Sequence, residues 1–128
     1  MPQQTEDEPT PAISWFIPIK TVSEANCSEH WTKKHKRHKE QKLWIYSLFK
    51  TNLPNLRLPV TIKLTRHGKK LLDDDNLPVS MKYFRDAIAD CLIPGKRPGQ
   101  ADSDPRIVWT YAQLVSDRVG VKIEIYKK

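Results

Sequence analysis

The sequence predicts an α+β fold: one small domain with a mixed β-sheet of about four strands and two main helices, in the order β-α-β-α-β-β. Three observations carry this. The chain has 128 residues, room for one hydrophobic core and not for two. Four short segments are apolar or alternate apolar and polar at strand length, near residues 14–21, 60–66, 106–115 and 119–125. Two longer segments, 29–50 and 71–93, carry helical signals.

The elements follow in order. Residues 1–12 are polar, acidic and Pro-containing, and read as a disordered tail ahead of a domain spanning 13–128. In 14–21, Trp15, Ile17 and Ile19 alternate, and Pro18 favours a sheet edge. Segment 29–50 contains neither Pro nor Gly. Its first half is basic (Lys33, Lys34, Lys36, Arg37, Lys39, Lys42) and its second half apolar, so one end is expected to dock while the other stays solvated. Trp31, Trp44, Tyr46 and Phe49 read as core rather than as base-stacking platforms. Val60, Ile62 and Leu64 alternate with Thr61, Lys63 and Thr65, a second strand closed by a turn at Lys69 and Lys70.

In 71–93, Leu77, Met81, Phe84, Ile88 and Cys91/Leu92 form one apolar helical stripe. Asp75 or Asn76 can cap it, and Pro78 is tolerated in a first turn. Segment 106–115 is apolar on both faces, as a central strand would be. Val119, Val121, Ile123 and Ile125 alternate with Lys122 and Glu124 and form the last strand.

Charge narrows the function. The formal net charge is +7; the first ten residues hold three acids and no base, leaving +10 on the rest. A small body this basic suits a polyanion, nucleic acid before an anionic membrane. No apolar run approaches membrane-spanning length, and the basic half-helix lacks the apolar face that interfacial insertion needs. No signal-peptide pattern opens the chain, and Cys27 and Cys91 form neither a disulfide framework nor a metal knuckle. A reducing, cytoplasmic setting is expected.

Two acidic clusters stand out against this basic background: Asp73-Asp74-Asp75-Asn76 at a helix start, and Asp102-Ser103-Asp104 before a strand. Two carboxylates about 4 Å apart repel by roughly 4 kcal/mol at an effective dielectric of about 20, so packed acids call for a cation. Mg²⁺ or Mn²⁺ is the usual cation for oxygen ligands. In extended backbone Asp73 and Asp75 point to one side. On a continuous helix Asp75, Lys82 and Asp86 share the face opposite the apolar stripe, where a lysine would assist phosphate chemistry. Each cluster also has a plainer reading. Acids at a helix start cap it and favour its dipole, and acids before a strand form turns.

Other motifs fail. Counting an EF-hand loop from Asp73 puts Pro78 where Gly is needed and Phe84 where Glu is needed. No glycine-rich loop precedes Lys96, and no acid or cysteine completes a zinc set with His30, His35 and His38.

The stretch LLDDDNLPVSMKYFRDAIADCL, followed by ADSDPRIVWTYAQ, resembles the RusA family of Holliday junction resolvases, small Mg²⁺-dependent endodeoxyribonucleases common in phages and prophages. Asp73, Asp75, Asn76 and Leu77 match the family's Asp-x-Asp-Asn-Leu motif, and Asp86-Ala87 matches its later Asp-Ala pair. HWTKKHKRHKEQK is similar to its basic first helix, and the likeness spans roughly residues 14–127. The chain departs in two places. In the shortest family pattern the lysine sits where this chain has Val79, so Lys82 matches only with one inserted helical turn. The second cluster is Asp102-Ser103-Asp104, where many members have adjacent acids.

The resemblance implies Asp73, Asp75 and Asp104 as ligands of Mg²⁺ or Mn²⁺, with no organic cofactor. Lys82 would be the fourth catalytic residue, placing charge near the phosphate. Asp86, Asp102 and Asn76 would be auxiliary. Lys33, Lys34, Lys36, Arg37 and Lys39, with Lys69 and Lys70, would grip backbone phosphates without reading bases. It implies paired symmetric nicks in a four-way DNA junction by a homodimer, whose twofold axis matches the junction's symmetry. Two other readings stay open: a non-catalytic basic DNA-binding protein, and a metal nuclease acting on other branched DNA.

Overall fold

The computed structural model describes residues 10–23, 31–52, 55–97 and 100–127. Residues 1–9 of the expected tail, and Cys27 and His30, lie outside them. The elements are β1 (Ile13–Ile17), α1 (Trp31–Asn52), β2 (Val60–Gly68), α2 (Asn76–Ser80), α3 (Lys82–Leu92), a 3₁₀ turn (Ala101–Ser103), β3 (Ile107–Val115) and β4 (Gly120–Lys127). This is the expected α+β domain, a four-stranded mixed sheet with two main helices. The strand order is β1-β4-β2-β3. β4 runs antiparallel to both β1 and β2, while β3 runs parallel to β2.

Register divides the sheet into two faces. Trp15 pairs with Ile123, Ile123 with Leu64, and Leu64 with Tyr111, so these four share a face. On it Ile17, Val60, Ile62, Leu64, Val121, Ile123 and Ile125 are buried. Both long helices cover this face. Phe49 of α1 meets Trp15 edge-on at 5.1 Å, and Arg85 of α3 reaches Trp109 and Tyr111. Ile45, Phe84 and Ile88 complete one core with the strands. Phe16, Lys63, Thr65, Lys122 and Glu124 register on the opposite face. β1 is an edge strand, as Pro18 requires, and it ends at Ile17 just before that proline.

Four expectations are corrected. First, β3 is an edge strand and not a central one, with Val108 and Leu114 of the face away from the helices exposed. Its apolar sequence reflects one face packed under α3 rather than two buried faces.

Second, the helix of 71–93 is broken at Met81 (φ −106°, ψ 4°) into α2 and α3. In a continuous helix the Met81 N–H would bond the Leu77 carbonyl. The Ser80 hydroxyl donates to that carbonyl instead, at 2.7 Å, and Met81 N–H turns to Pro78 O at 3.1 Å. The shared face drawn through Asp75, Lys82 and Asp86 therefore does not exist as a helical face, and Asp86 is buried rather than solvated.

Third, Asp73–Leu77 is a turn and not extended chain, because the N–H groups of Asn76 and Leu77 both donate to Asp73 O. Fourth, Trp31, Trp44 and Tyr46 are exposed, since only Gln41 and Ile45 of α1 are fully buried.

Candidate active site

β3 works as a ruler for the site. Trp109, Tyr111 and Gln113 stand two residues apart on its helix-covered face, a span of about 13 Å. Each holds one candidate segment. The Trp109 indole N–H donates to the Asp102 carbonyl at 2.9 Å, fixing the 3₁₀ turn. The Tyr111 hydroxyl meets Arg85 Nη1 of α3 at 2.7 Å. The Gln113 amide pairs with the Leu72 backbone in both directions, N–H to Oε1 at 2.9 Å and Nε2 to carbonyl at 2.8 Å, which fixes the start of the first acidic cluster. The two acidic segments thus flank α3 along one strand.

Asp73, Asp74 and Asp75 are exposed, and among the described residues their carboxylates have no hydrogen-bond or ion-pair partner. Asp75 sits at the N-cap position of α2 but makes no side-chain cap bond, so the capping reading of this cluster does not hold. Asn76 opens α2.

Lys82 opens α3, and its ammonium, on a side chain 57% exposed, pairs with buried Asp86 at 3.2 Å. That hydrogen bond and charge raise the Lys82 pKa. Asp90, one turn on, has its carboxyl pKa raised by burial first and then by the charge of Asp86, with Asp102 adding to it. Lys42 of α1 acts in the opposite sense on Asp90.

The second pair of acids divides. Asp102 touches Arg85 Nε at 3.0 Å, an ion pair off the N–H axis, and Arg85 also lies 5.0 Å over the Trp109 ring. Asp104 has other partners. Arg106 gives it three hydrogen bonds, N–H and Nε to Oδ1 at 2.9 and 3.0 Å and Nη2 to Oδ2 at 3.0 Å, and Lys96 adds a 3.6 Å contact. The Arg106 bonds hold the Asp104 carboxyl far below the usual carboxylate range.

Among the described residues, no three His, Cys, Asp or Glu side chains are gathered to hold a metal ion. Asp73 and Asp75, free and exposed, suit a hard divalent cation as donors. Asp104 does not, because its two oxygens are already engaged by a guanidinium. The expected trio of Asp73, Asp75 and Asp104 is therefore not assembled as a centre. Asp102, expected only as an auxiliary, is the acid of its pair that shares the electrostatic field of Lys82 and Asp90.

The basic half of α1 reaches this region through aromatics. His38 stacks on Tyr83 of α3 at 3.7 Å, and the ammonium groups of Lys42 and Lys82 lie 5.6 and 5.3 Å from the same ring. Lys33, Lys36 and Lys39 are exposed on α1, with Lys34 and Arg37 half-covered, and Lys69 and Lys70 are exposed after β2. Sequence reasoning missed Arg85, Arg106 and Gln113. Arg106 had a signal, an arginine two residues after an acid before a strand; Gln113 had none, since its partner lies 41 positions away. No family model matches the chain, and no curated protein or solved structure matches it either.

Proposed function

We propose that the protein is a Mg²⁺-dependent endodeoxyribonuclease that nicks branched DNA, with a four-way junction as its substrate and a homodimer as its working form. The observation that carries this reading is the arrangement along β3. One strand holds two acidic segments on either side of a lysine- and arginine-bearing helix, within reach of a strongly basic helix. In a chain of net charge +7 the free carboxylates of Asp73 and Asp75 gain nothing from each other and favour a cation.

Asp73 and Asp75 are the residues that would hold Mg²⁺, which when bound neutralises charge and lowers the pKa of a coordinated water. Lys82 keeps its proton at neutral pH and offers an exposed ammonium to a phosphate oxygen. Arg85 positions Asp102 and ties it to β3. The basic side chains of α1 bind backbone phosphates, and selection among DNA forms then comes from shape and deformability. Two copies are needed because a junction is cut on two opposed strands.

The test is cleavage of a labelled synthetic junction with Mg²⁺, with EDTA, and with Asp75→Asn. Paired symmetric nicks that require both the metal and Asp75 are expected, with DNA binding intact in the variant. Wild-type cutting by Asp75→Asn would displace the assigned site. A linear duplex of equal length, added as competitor, separates junction selectivity from general nuclease action.

One observation favours a second reading, a non-catalytic DNA-binding protein: the second cluster has given Asp104 to Arg106. Salt-sensitive junction binding with no product under any divalent metal would establish it.

A further inference from the structure

A cavity lies beside the candidate site and not within it. It has a volume of about 730 Å³ and opens where β2 ends, a size common for small-molecule sites. Its basic groups come from three segments: Lys20 after β1, Arg66 within β2, and Lys69 and Lys70 in the turn that follows. Val22, Leu72 and Val119 supply an apolar wall.

Arg66 is the unusual member. It registers on the helix-covered face between Gln113 and Val121 and is only 6% exposed. Buried guanidinium groups are normally paired with acids, because an unpaired buried charge is costly. Arg66 has no carboxylate partner among the described residues. Its Nε donates to Thr21 Oγ1 at 3.0 Å, Nη1 to Lys70 O at 2.7 Å and Nη2 to Thr21 O at 3.2 Å. A guanidinium has five N–H groups, so each terminal nitrogen keeps one donor uncommitted. Burial lowers the Arg66 pKa.

The backbone makes room for this cation. A Cβ on Gly68 would sit 2.5 Å from Arg66 Nη1 and 2.9 Å from Cζ. A glycine at that position leaves the guanidinium its place at the cavity wall.

We propose that this cavity is a phosphate-binding pocket that takes a nucleotide. The phosphate would sit against Arg66, Lys69, Lys70 and Lys20, and the sugar or base against Val22, Leu72 and Val119. Four cationic groups around one cavity exceed what a single carboxylate offsets, whereas a phosphate brings more charge and several acceptor oxygens to a forked donor. The apolar wall distinguishes the pocket from a bare anion site. Leu72 links it to the candidate site, since the chain runs from this wall directly into Asp73. The phosphate is that of a free mononucleotide or of a DNA strand running past the acidic turn. The pocket does not depend on any cleavage activity.

Amide NMR spectra of the full chain at constant ionic strength test this. The probes are deoxyadenosine monophosphate, unphosphorylated deoxyadenosine, inorganic phosphate and a short single-stranded oligonucleotide. Saturable shifts at the amides of Thr21, Gly68 and Lys70 are expected with the mononucleotide, and at least about tenfold weaker binding with the nucleoside. The combined variant Lys20→Ala, Lys69→Ala, Lys70→Ala keeps Arg66 and its packing. It is expected to bind the mononucleotide at least about tenfold more weakly, with the spectrum otherwise unchanged. Arg66→Lys is the second variant; it keeps the charge, loses the fork and is expected to bind weakly. If only the oligonucleotide moves these amides, the pocket holds a strand phosphate and the proposal stands. Absence of saturable shifts with every phosphate probe overturns it, as do shifts undiminished in the triple variant. A chain that shows the shifts but cuts no junction keeps the pocket and loses the nuclease reading; one that cuts junctions without the shifts does the reverse.

Discussion

Asp102 and Asp104 are two residues apart and have opposite surroundings. Asp104 is bonded through both oxygens to Arg106, whereas Asp102 belongs to the Arg85, Lys82 and Asp90 group. Asp104→Asn should therefore act first on stability and Asp102→Asn first on cleavage, a split read by thermal melts beside junction-cleavage rates. The pH dependence has a definite sign. The folded-state pKa of Asp104 is depressed, so its contribution is present above the ordinary carboxylate value of about 3.9 and is lost as pH falls through the lower folded value. Melting curves of wild type and Asp104→Asn should differ at neutral pH and converge in strong acid. A constant gap across that range would remove the ion pair as the cause.

Cys91 gives a second residue-scale expectation. Burial, aided by the charge of Asp90, pushes its thiol up to about 11. In a Cys27→Ser background, alkylation near pH 8 should be at least about a hundredfold slower than for an ordinary thiol. Fast alkylation would mean that the end of α3 opens readily.

At the scale of elements, α3 carries both core and site. Phe84 and Ile88 are fully buried while Lys82 and Arg85, on adjoining positions, serve the site. Phe84→Ala should destabilise the fold by about 3–5 kcal/mol, measured as a shift in denaturant midpoint. A negligible shift would contradict the packing of α3 on the sheet. The apolar stripe from Leu77 to Ile88 was legible because its period survives the break at Met81. The break itself was not. At the break the Ser80 hydroxyl takes the Leu77 carbonyl, a local contact that an apolar pattern does not register. The edge position of β3 was hidden for a related reason. An apolar strand reads as central, but β3 reaches that composition by packing one face under α3 and leaving Val108 and Leu114 of the other face exposed.

At the scale of the whole molecule, basic residues are concentrated on α1 and on the turn after β2, and two acidic segments are held by side chains of β3. Duplex binding should weaken linearly on a log–log salt plot. Lys36→Ala should flatten the slope by roughly 0.9 if that residue contacts a phosphate. An unchanged slope would take Lys36 out of the DNA footprint. Among the described residues no helix is long and apolar enough to cross a membrane.

The sequence by itself determined where the four strands and the helical segments lie, the apolar stripe through Leu77, Phe84 and Ile88, and the residue types gathered in each acidic cluster. These follow from periodicity and composition, which act over a few residues. Only the tertiary structure decided which acids are free and which are bound. It set Asp104 against Arg106 and Lys96, joined Leu72 to Gln113, and left Arg66 buried with no acid partner among the described residues. Those outcomes depend on strand order and on how loops meet strands far away in the chain. A carboxylate's role is fixed by its partner, and the partner is chosen by the fold.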